Sequence, residues 1–324
     1  MTSAVFPWKR DGGQSTAARY SARRGDLPDP TVRENGKGQR VQSMQEKQTA
    51  QNTQKIIDAH VHIYPEAIAD RATESLGRFY QFTVHAKGTY EDLERQALSC
   101  GVSGFFLLAV ATNAHQVQKV NDHVVNAMQT ARRHGLECYA FAGMHQDYPD
   151  FAAEIERCRA LGFTGFKIHP DIQRMDLLSP AMYALCEALE GNMPLFLHMG
   201  DCRAEYRFSE PEKLVTLTRR FPRLQVVAAH YGGYQAWDDA VHCLAGVPNV
   251  WFDCSSALWA MTPERAYALT ETMGFDRVMY GSDYPVYGLA DYLELFLRVP
   301  FSPAQRSAIL YDNAQRFLHA CGAL

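Results

Sequence analysis

Between residues 163 and 230 the chain reads Phe163-Thr164-Gly165-Phe166-Lys167-Ile168-His169, then Pro194-Leu195-Phe196-Leu197-His198-Met199, then Leu224-Gln225-Val226-Val227-Ala228-Ala229-His230. Each run is short, apolar and rich in aromatic or β-branched residues, the pattern of a strand buried on both faces. The stretches between them carry helix punctuation. Ser179-Pro180 places a capping hydroxyl before a proline at the first helical position, and Gly191 follows the run that it opens. Strand and helix therefore alternate, and all three strands carry an imidazole at or near the end.

Reading outward, the same unit recurs from Lys55 to the C-terminus. Further strands are expected at Ile56 to Tyr64, Val102 to Ala109, Leu136 to Met144, Val250 to Cys254 and Arg277 to Ser282, which makes eight. Thr262-Pro263 and Ser302-Pro303 repeat the capping signal, and Ser209 with Glu212 has capping-box spacing. Eight buried parallel strands favour a closed barrel over an open sheet, and no Gly-x-Gly-x-x-Gly loop follows the first strand to suggest a dinucleotide fold. The expected architecture is a single (β/α)8 TIM barrel over residues 55–324, finished by a closing helix from Pro303 to Leu318.

Residues 1–54 differ in chemistry. The first 55 residues hold 10 Lys and Arg against 5 Asp and Glu, whereas the remainder holds 22 against 31. This stretch has no helical or alternating apolar period, so it is expected to be a disordered basic extension. It lacks the apolar core of a secretory signal, and its acidic residues count against a transit peptide. Met44 is an alternative start.

The net charge of −4 offers no clustered basic face, so nucleic-acid binding is set aside. The longest apolar run, Phe105 to Ala111, is far short of a membrane span. Eight cysteines spaced singly read as reduced thiols of a cytoplasmic protein. The sequence does not encode an oligomeric state; a homodimer is compatible with it, since dimers are common among soluble enzymes.

In such a barrel the C-terminal strand ends build the active site. Strand one ends in His60-Val61-His62, and a side-chain period of two points both imidazoles to one side. Strand four ends in Lys167-Ile168-His169, strand five in His198, strand six in His230, and strand eight leads into Gly281-Ser282-Asp283-Tyr284-Pro285. Each of these alone is ordinary, but structural histidines have no reason to share one end of several strands with a carboxylate. Neutral imidazoles with one carboxylate suit a catalytic divalent ion, zinc above all, with Mn or Fe compatible. His85, His115, His123, His134, His145, His242 and His319 lie away from this set and are read as structural.

At these residues the sequence resembles the amidohydrolase superfamily. The resemblance runs from Asp58-Ala59-His60-Val61-His62 to Asn313-Ala314-Gln315-Arg316-Phe317 and includes Ala229-His230-Tyr231-Gly232-Gly233. It is nearest the amidohydrolase-related branch, which holds aminocarboxymuconate-semialdehyde decarboxylases, other aromatic-acid decarboxylases and lactone hydrolases. The resemblance implies metal ligation by His60, His62, His198 and Asp283, with His230 near the substrate. In binuclear relatives a carboxylated strand-four lysine bridges two ions, and Lys167 and His230 would then join the ligands. One ion is the favoured reading, with Lys167, His169 and Arg203 available to bind the substrate. Lys167 in a salt bridge to Asp171 or Asp201 is the structural alternative. Tyr64, Tyr231, Tyr234 and Trp259 are candidates for aromatic walls.

The first functional expectation is metal-dependent hydrolysis of an amide, ester or lactone of a small carboxylated molecule, with Asp283 as base and His230 assisting. The second is non-oxidative decarboxylation of a small aromatic or unsaturated acid. The third is a metal-binding barrel without turnover.

Overall fold

The structure, a computed structural model, describes residues 54–201 and 203–324; the extension expected over 1–54 lies outside them except for its last residue. Eight parallel strands pair in chain order: β1 (Ile57–Val61), β2 (Gly104–Leu108), β3 (Glu137–Gly143), β4 (Gly165–Ile168), β5 (Leu195–Leu197), β6 (Val226–Ala228), β7 (Val250–Asp253) and β8 (Val278–Met279). Every expected strand is present, trimmed at its ends. Helices cross between them, as the βα alternation requires.

The two-residue β8 leaves the seam with β1 to loop backbone. Ala59 N–H donates to Tyr280 O (2.8 Å), Asp283 N–H to His60 O (2.9 Å) and His62 N–H to Tyr284 O (2.7 Å). The buried Asp58 Oδ1 accepts from the backbone N–H groups of both His60 (3.1 Å) and Ser282 (2.9 Å). A register shift in β1 between Asp58 and Val61 falls at the same place. Closure of the barrel therefore sets the β1 histidines directly beside the loop that carries Asp283.

The barrel interior is filled from below by Phe106, Phe141, Phe196, Trp251 and Met279 with Phe317 and Leu318 of the last helix. That closing helix is present from Pro303 to Ala320, with a π-helical turn at Ala308–Asp312. Ser179, Thr262 and Ser302 cap their helices as expected. Ser209 does not: the next helix starts at Pro211 behind Glu210, and the Ser209 hydroxyl instead donates to Asp171 (2.7 Å) and accepts from Gly200 N–H (3.0 Å).

At the opposite mouth, one helix stands apart. Helix α1 (Ala69–Tyr80) fills the connection after β1 and buries only Ala69. Among the described residues no helix is long and apolar enough to cross a membrane.

Candidate metal and catalytic site

The period-two geometry of β1 holds. His60 Nε2 and His62 Nε2 approach to 3.1 Å, and Asp283 Oδ1 lies 3.4 Å from the first and 3.7 Å from the second. The other nitrogen of each ring fixes its tautomer. His62 Nδ1 sits 2.8 Å from Leu108 O, a carbonyl that can only accept, so Nδ1 carries the hydrogen. His60 Nδ1 faces Asp253 Oδ2 at 2.9 Å and donates there. Both Nε2 atoms are therefore bare lone pairs aimed at one point beside a carboxylate oxygen. Burial keeps both rings neutral, pushing the pKa of His62 down to about 3 and that of His60 well below its ordinary value.

Two bare lone pairs and an anionic oxygen repel one another unless a cation lies between them. A divalent ion about 2.1 Å from each donor in tetrahedral geometry needs donor separations of about 3.4 Å. The observed 3.1, 3.4 and 3.7 Å match that spacing. The residues present thus fit a divalent metal.

His198, the fourth expected ligand, stands one imidazole away. His230 Nδ1–H donates to Ser255 O (3.0 Å), leaving His230 Nε2 to accept from His198 Nδ1–H (3.0 Å). His198 Nε2 then points outward to Tyr80 OH at 3.2 Å and to Asp171 Oδ2 at 3.9 Å. His169 stacks on His198 with ring centroids 3.8 Å apart, and its Nε2 also meets Tyr80 OH, at 2.8 Å. His169 Nδ1 accepts from Ile172 N–H as a helix cap, so its Nε2 carries the hydrogen. The result is a one-way chain of hydrogen bonds: His169 to Tyr80 to His198 to His230 to Ser255 O.

Lys167 lies among these rings. Its Nζ is fully buried, has no hydrogen-bond partner and sits 4.7 Å from the Phe196 ring centroid. Burial holds its pKa below 10.5, and the charges of Asp253 and Asp283 oppose that fall. The same desolvation raises Asp283 above 3.8. Lys167 makes neither structural salt bridge considered above, since Asp171 is engaged by Ser209 and Asp201 by Arg203. Arg203 spends its fork on Asp201 (2.6 Å) and on Phe79 O (2.6 Å), packed between the rings of Phe79 and Tyr206. Of the expected wall aromatics, Tyr234 lies beside His198 and His230, whereas Tyr231 is buried against Thr270 and Trp259 is largely exposed.

Several residues with clear roles were not anticipated. Asp253, the last residue of β7, and Ser255, just past it, bind His60 and His230 from behind, and Ser256 donates to Asp283. Their signal was a carboxylate and hydroxyls at a strand end, the same rule that found the histidines. Tyr80 had no comparable signal. His230, Tyr231, Ser256 and Asp283 all adopt positive φ, between 48° and 63°. Such strained backbone in non-glycine residues is held by its surroundings and concentrates at functional sites.

The sequence profile of the family described as amidohydrolase matches residues 57–320. The chain belongs to the amidohydrolase family. A curated relative of this family member, the uncharacterized protein y4mH of Sinorhizobium fredii, is 30% identical over 126 residues, spanning 33% of this chain and 42% of that protein. Solved structures share the fold at lower identity. The TIM-barrel protein Bb4693 of Bordetella bronchiseptica matches at TM-score 0.65 and 19% identity, over 83% of this amidohydrolase chain and 99% of its own. The 5-carboxyvanillate decarboxylase LigW of Sphingomonas paucimobilis matches at 0.63 and 16%, over 82% and 99%. A dihydroxybenzoic acid decarboxylase of Polaromonas sp. JS666, with bound manganese and the inhibitor 2-nitroresorcinol, matches at 0.57 and 16%, over 84% and 98%.

Proposed function

We propose that this amidohydrolase-family enzyme is a metal-dependent, non-oxidative decarboxylase of a small planar carboxylic acid. The observation that carries the reading is Lys167: a lone ammonium nitrogen, fully buried and unpartnered, beside a metal-competent triad. A buried cation without a partner is costly, and a substrate carboxylate is the counter-charge that removes the cost.

His60, His62 and Asp283 would hold the ion, and the imidazole–carboxylate set suits zinc or manganese. When bound, the ion supplies Lewis acidity toward a substrate oxygen. Lys167 pairs with the carboxylate and fixes its direction. The surroundings exclude water, since Lys167, His60 and His230 are at most 1% exposed. Removing a carboxylate from water favours loss of its charge as neutral carbon dioxide. The bond between the ring carbon and the carboxyl carbon breaks, carbon dioxide departs, and the electron pair stays on the ring carbon. That carbon takes a proton from Asp283, whose protonated form burial favours and which regains its proton from water once carbon dioxide has left; the Ser256 hydroxyl donates to Asp283 Oδ2 and holds the carboxyl in place. The likeness of fold to two aromatic-acid decarboxylases supports the same reading.

Hydrolysis of an ester or lactone is the second reading. One observation favours it: Asp283 is 15% exposed beside the bare lone pairs, where a base acting on water would stand. Incubating the purified protein with hydroxybenzoates, carboxyvanillates, lactones and aryl esters separates the two. Carbon dioxide release supports decarboxylation, and acid release from a lactone or ester without carbon dioxide overturns it.

A further inference from the structure

The chemistry above sits behind a closed door. Lys167 and His230 are at most 1% exposed and His198 and His169 about 5–6%, so nothing the size of an aromatic acid reaches them without movement. The element over that side of the mouth is α1. A helix of 12 residues is marginal on its own, and α1 gains little from packing, since its body is exposed or half-buried. An open groove lies between it and the returning chain, lined by Thr73, Gly77, Phe82 and Val84.

What holds α1 down is its C-terminal end. At Gly77 a side chain would lie 2.8 Å from Phe82 O, so glycine lets the chain fold back tightly through left-handed Gln81 (φ 60°). That turn drives Tyr80 inward until its hydroxyl meets His169 Nε2 (2.8 Å) and His198 Nε2 (3.2 Å). Phe79 next to it is pinned from outside by Arg203, through the bond to Phe79 O and the stack on its ring, 4.6 Å from the centroid. Asp201 in turn anchors Arg203. Tyr80 is thus a ring stacked on Phe82 with its hydroxyl locked between two site imidazoles, an unusual place for a residue of a lightly packed helix.

We propose that Tyr80 is the plug of this site, holding a substrate-oxygen position until it is displaced, and that α1 is the lid that carries it. With the helix down, the phenol fills a hydroxyl-binding position between His169 and His198. When Arg203 lets go of Phe79 the helix lifts, the phenol leaves, and a substrate oxygen takes its place. The gating and the hydroxyl position rest on the hydrogen bonds of Tyr80 and the burial behind it, and hold whether the reaction is decarboxylation or hydrolysis. The low stability of α1 is what a lid requires.

Diethylpyrocarbonate labelling of the full-length protein, followed residue by residue by mass spectrometry, tests this without a substrate. His169 and His230 in the wild type label slowly. In Arg203→Ala and in Tyr80→Ala both label at least about tenfold faster at an unchanged melting temperature. Phenol, used as the probe, restores protection of His169 in Tyr80→Ala and leaves the wild type unaffected. Labelling at the wild-type rate in both variants, or no protection by phenol, overturns the proposal. Should either variant fold poorly, backbone hydrogen exchange of the wild type decides. Exchange across 69–82 far faster than in the barrel strands supports the lid, and protection equal to the strands overturns it.

Discussion

The Nδ1–H of His60 donates to Asp253 Oδ2 across 2.9 Å of buried space, so the opposite face of that ring meets His62 and Asp283 as a bare lone pair. A carboxylate on β7 therefore decides which nitrogen on β1 is available to an ion. Ligand histidines held in this way bind metal more tightly than free ones. Asp253→Asn is expected to weaken metal binding about 10–100-fold with the fold retained, as read by competition with a chelator of known affinity.

Lys167 predicts effects of opposite sign on activity and stability. Lys167→Met removes the anchor for the substrate carboxylate and should raise KM by at least about tenfold, the worth of one charge-assisted hydrogen bond. The same change replaces a buried, unpartnered ammonium with an apolar chain of similar length and should stabilise the protein by about 1–4 kcal/mol. A denaturant titration beside the kinetics checks both. A variant that loses stability together with activity would assign Lys167 a purely structural role.

The shifted Lys167 also sets an alkaline limb. Burial lowers its pKa below 10.5, so the ammonium is lost earlier than in an exposed lysine. KM for a carboxylate substrate should rise with pH below 10.5, while an uncharged ester analogue shows no such rise. Initial rates between pH 7 and 10 give the comparison.

For the metal-free protein, acid stability follows from the imidazoles. His60, His62, His169, His198 and His230 all have pKa values lowered by burial, to about 3 for His62 and about 4 for His230. Below 6.5 the unfolded chain takes up protons there that the folded chain refuses, so stability is lost as pH falls from 6.5 toward 4. Asp58, Asp171 and Asp283, raised to about 7 by burial, act in the opposite sense and lose stability as pH rises through the same window. Five groups outweigh three, so the melting temperature of the chelated protein should be lower at pH 5 than at pH 7. A higher value at pH 5 would show the carboxylates to dominate.

Much of this was legible in the sequence because it depends on short-range rules. Apolar runs of strand length between helix caps located all eight strands, and a period of two placed His60 and His62 on one side of β1. What escaped depends on long-range geometry. His198 is expected with the triad; its Nδ1–H donates to His230 Nε2 and its Nε2 faces Tyr80 OH, partners that no local pattern announces. Tyr80 sits in a connection whose path over the mouth no local pattern encodes. Ser209 had the spacing of a cap, but the buried Asp171 carboxylate claimed its hydroxyl. Asp253, by contrast, ends β7 and obeys the same strand-end rule as the histidines.

The central claim is that His60, His62 and Asp283 share one divalent cation. Elemental mass spectrometry of the dialysed full-length protein and of His62→Ala tests it most directly. The account predicts close to one equivalent of zinc or manganese per wild-type chain, and loss of most of it in a variant that keeps its circular-dichroism spectrum. A wild-type protein that retains no transition metal after loading and dialysis, or a variant that retains as much as the wild type, would contradict it.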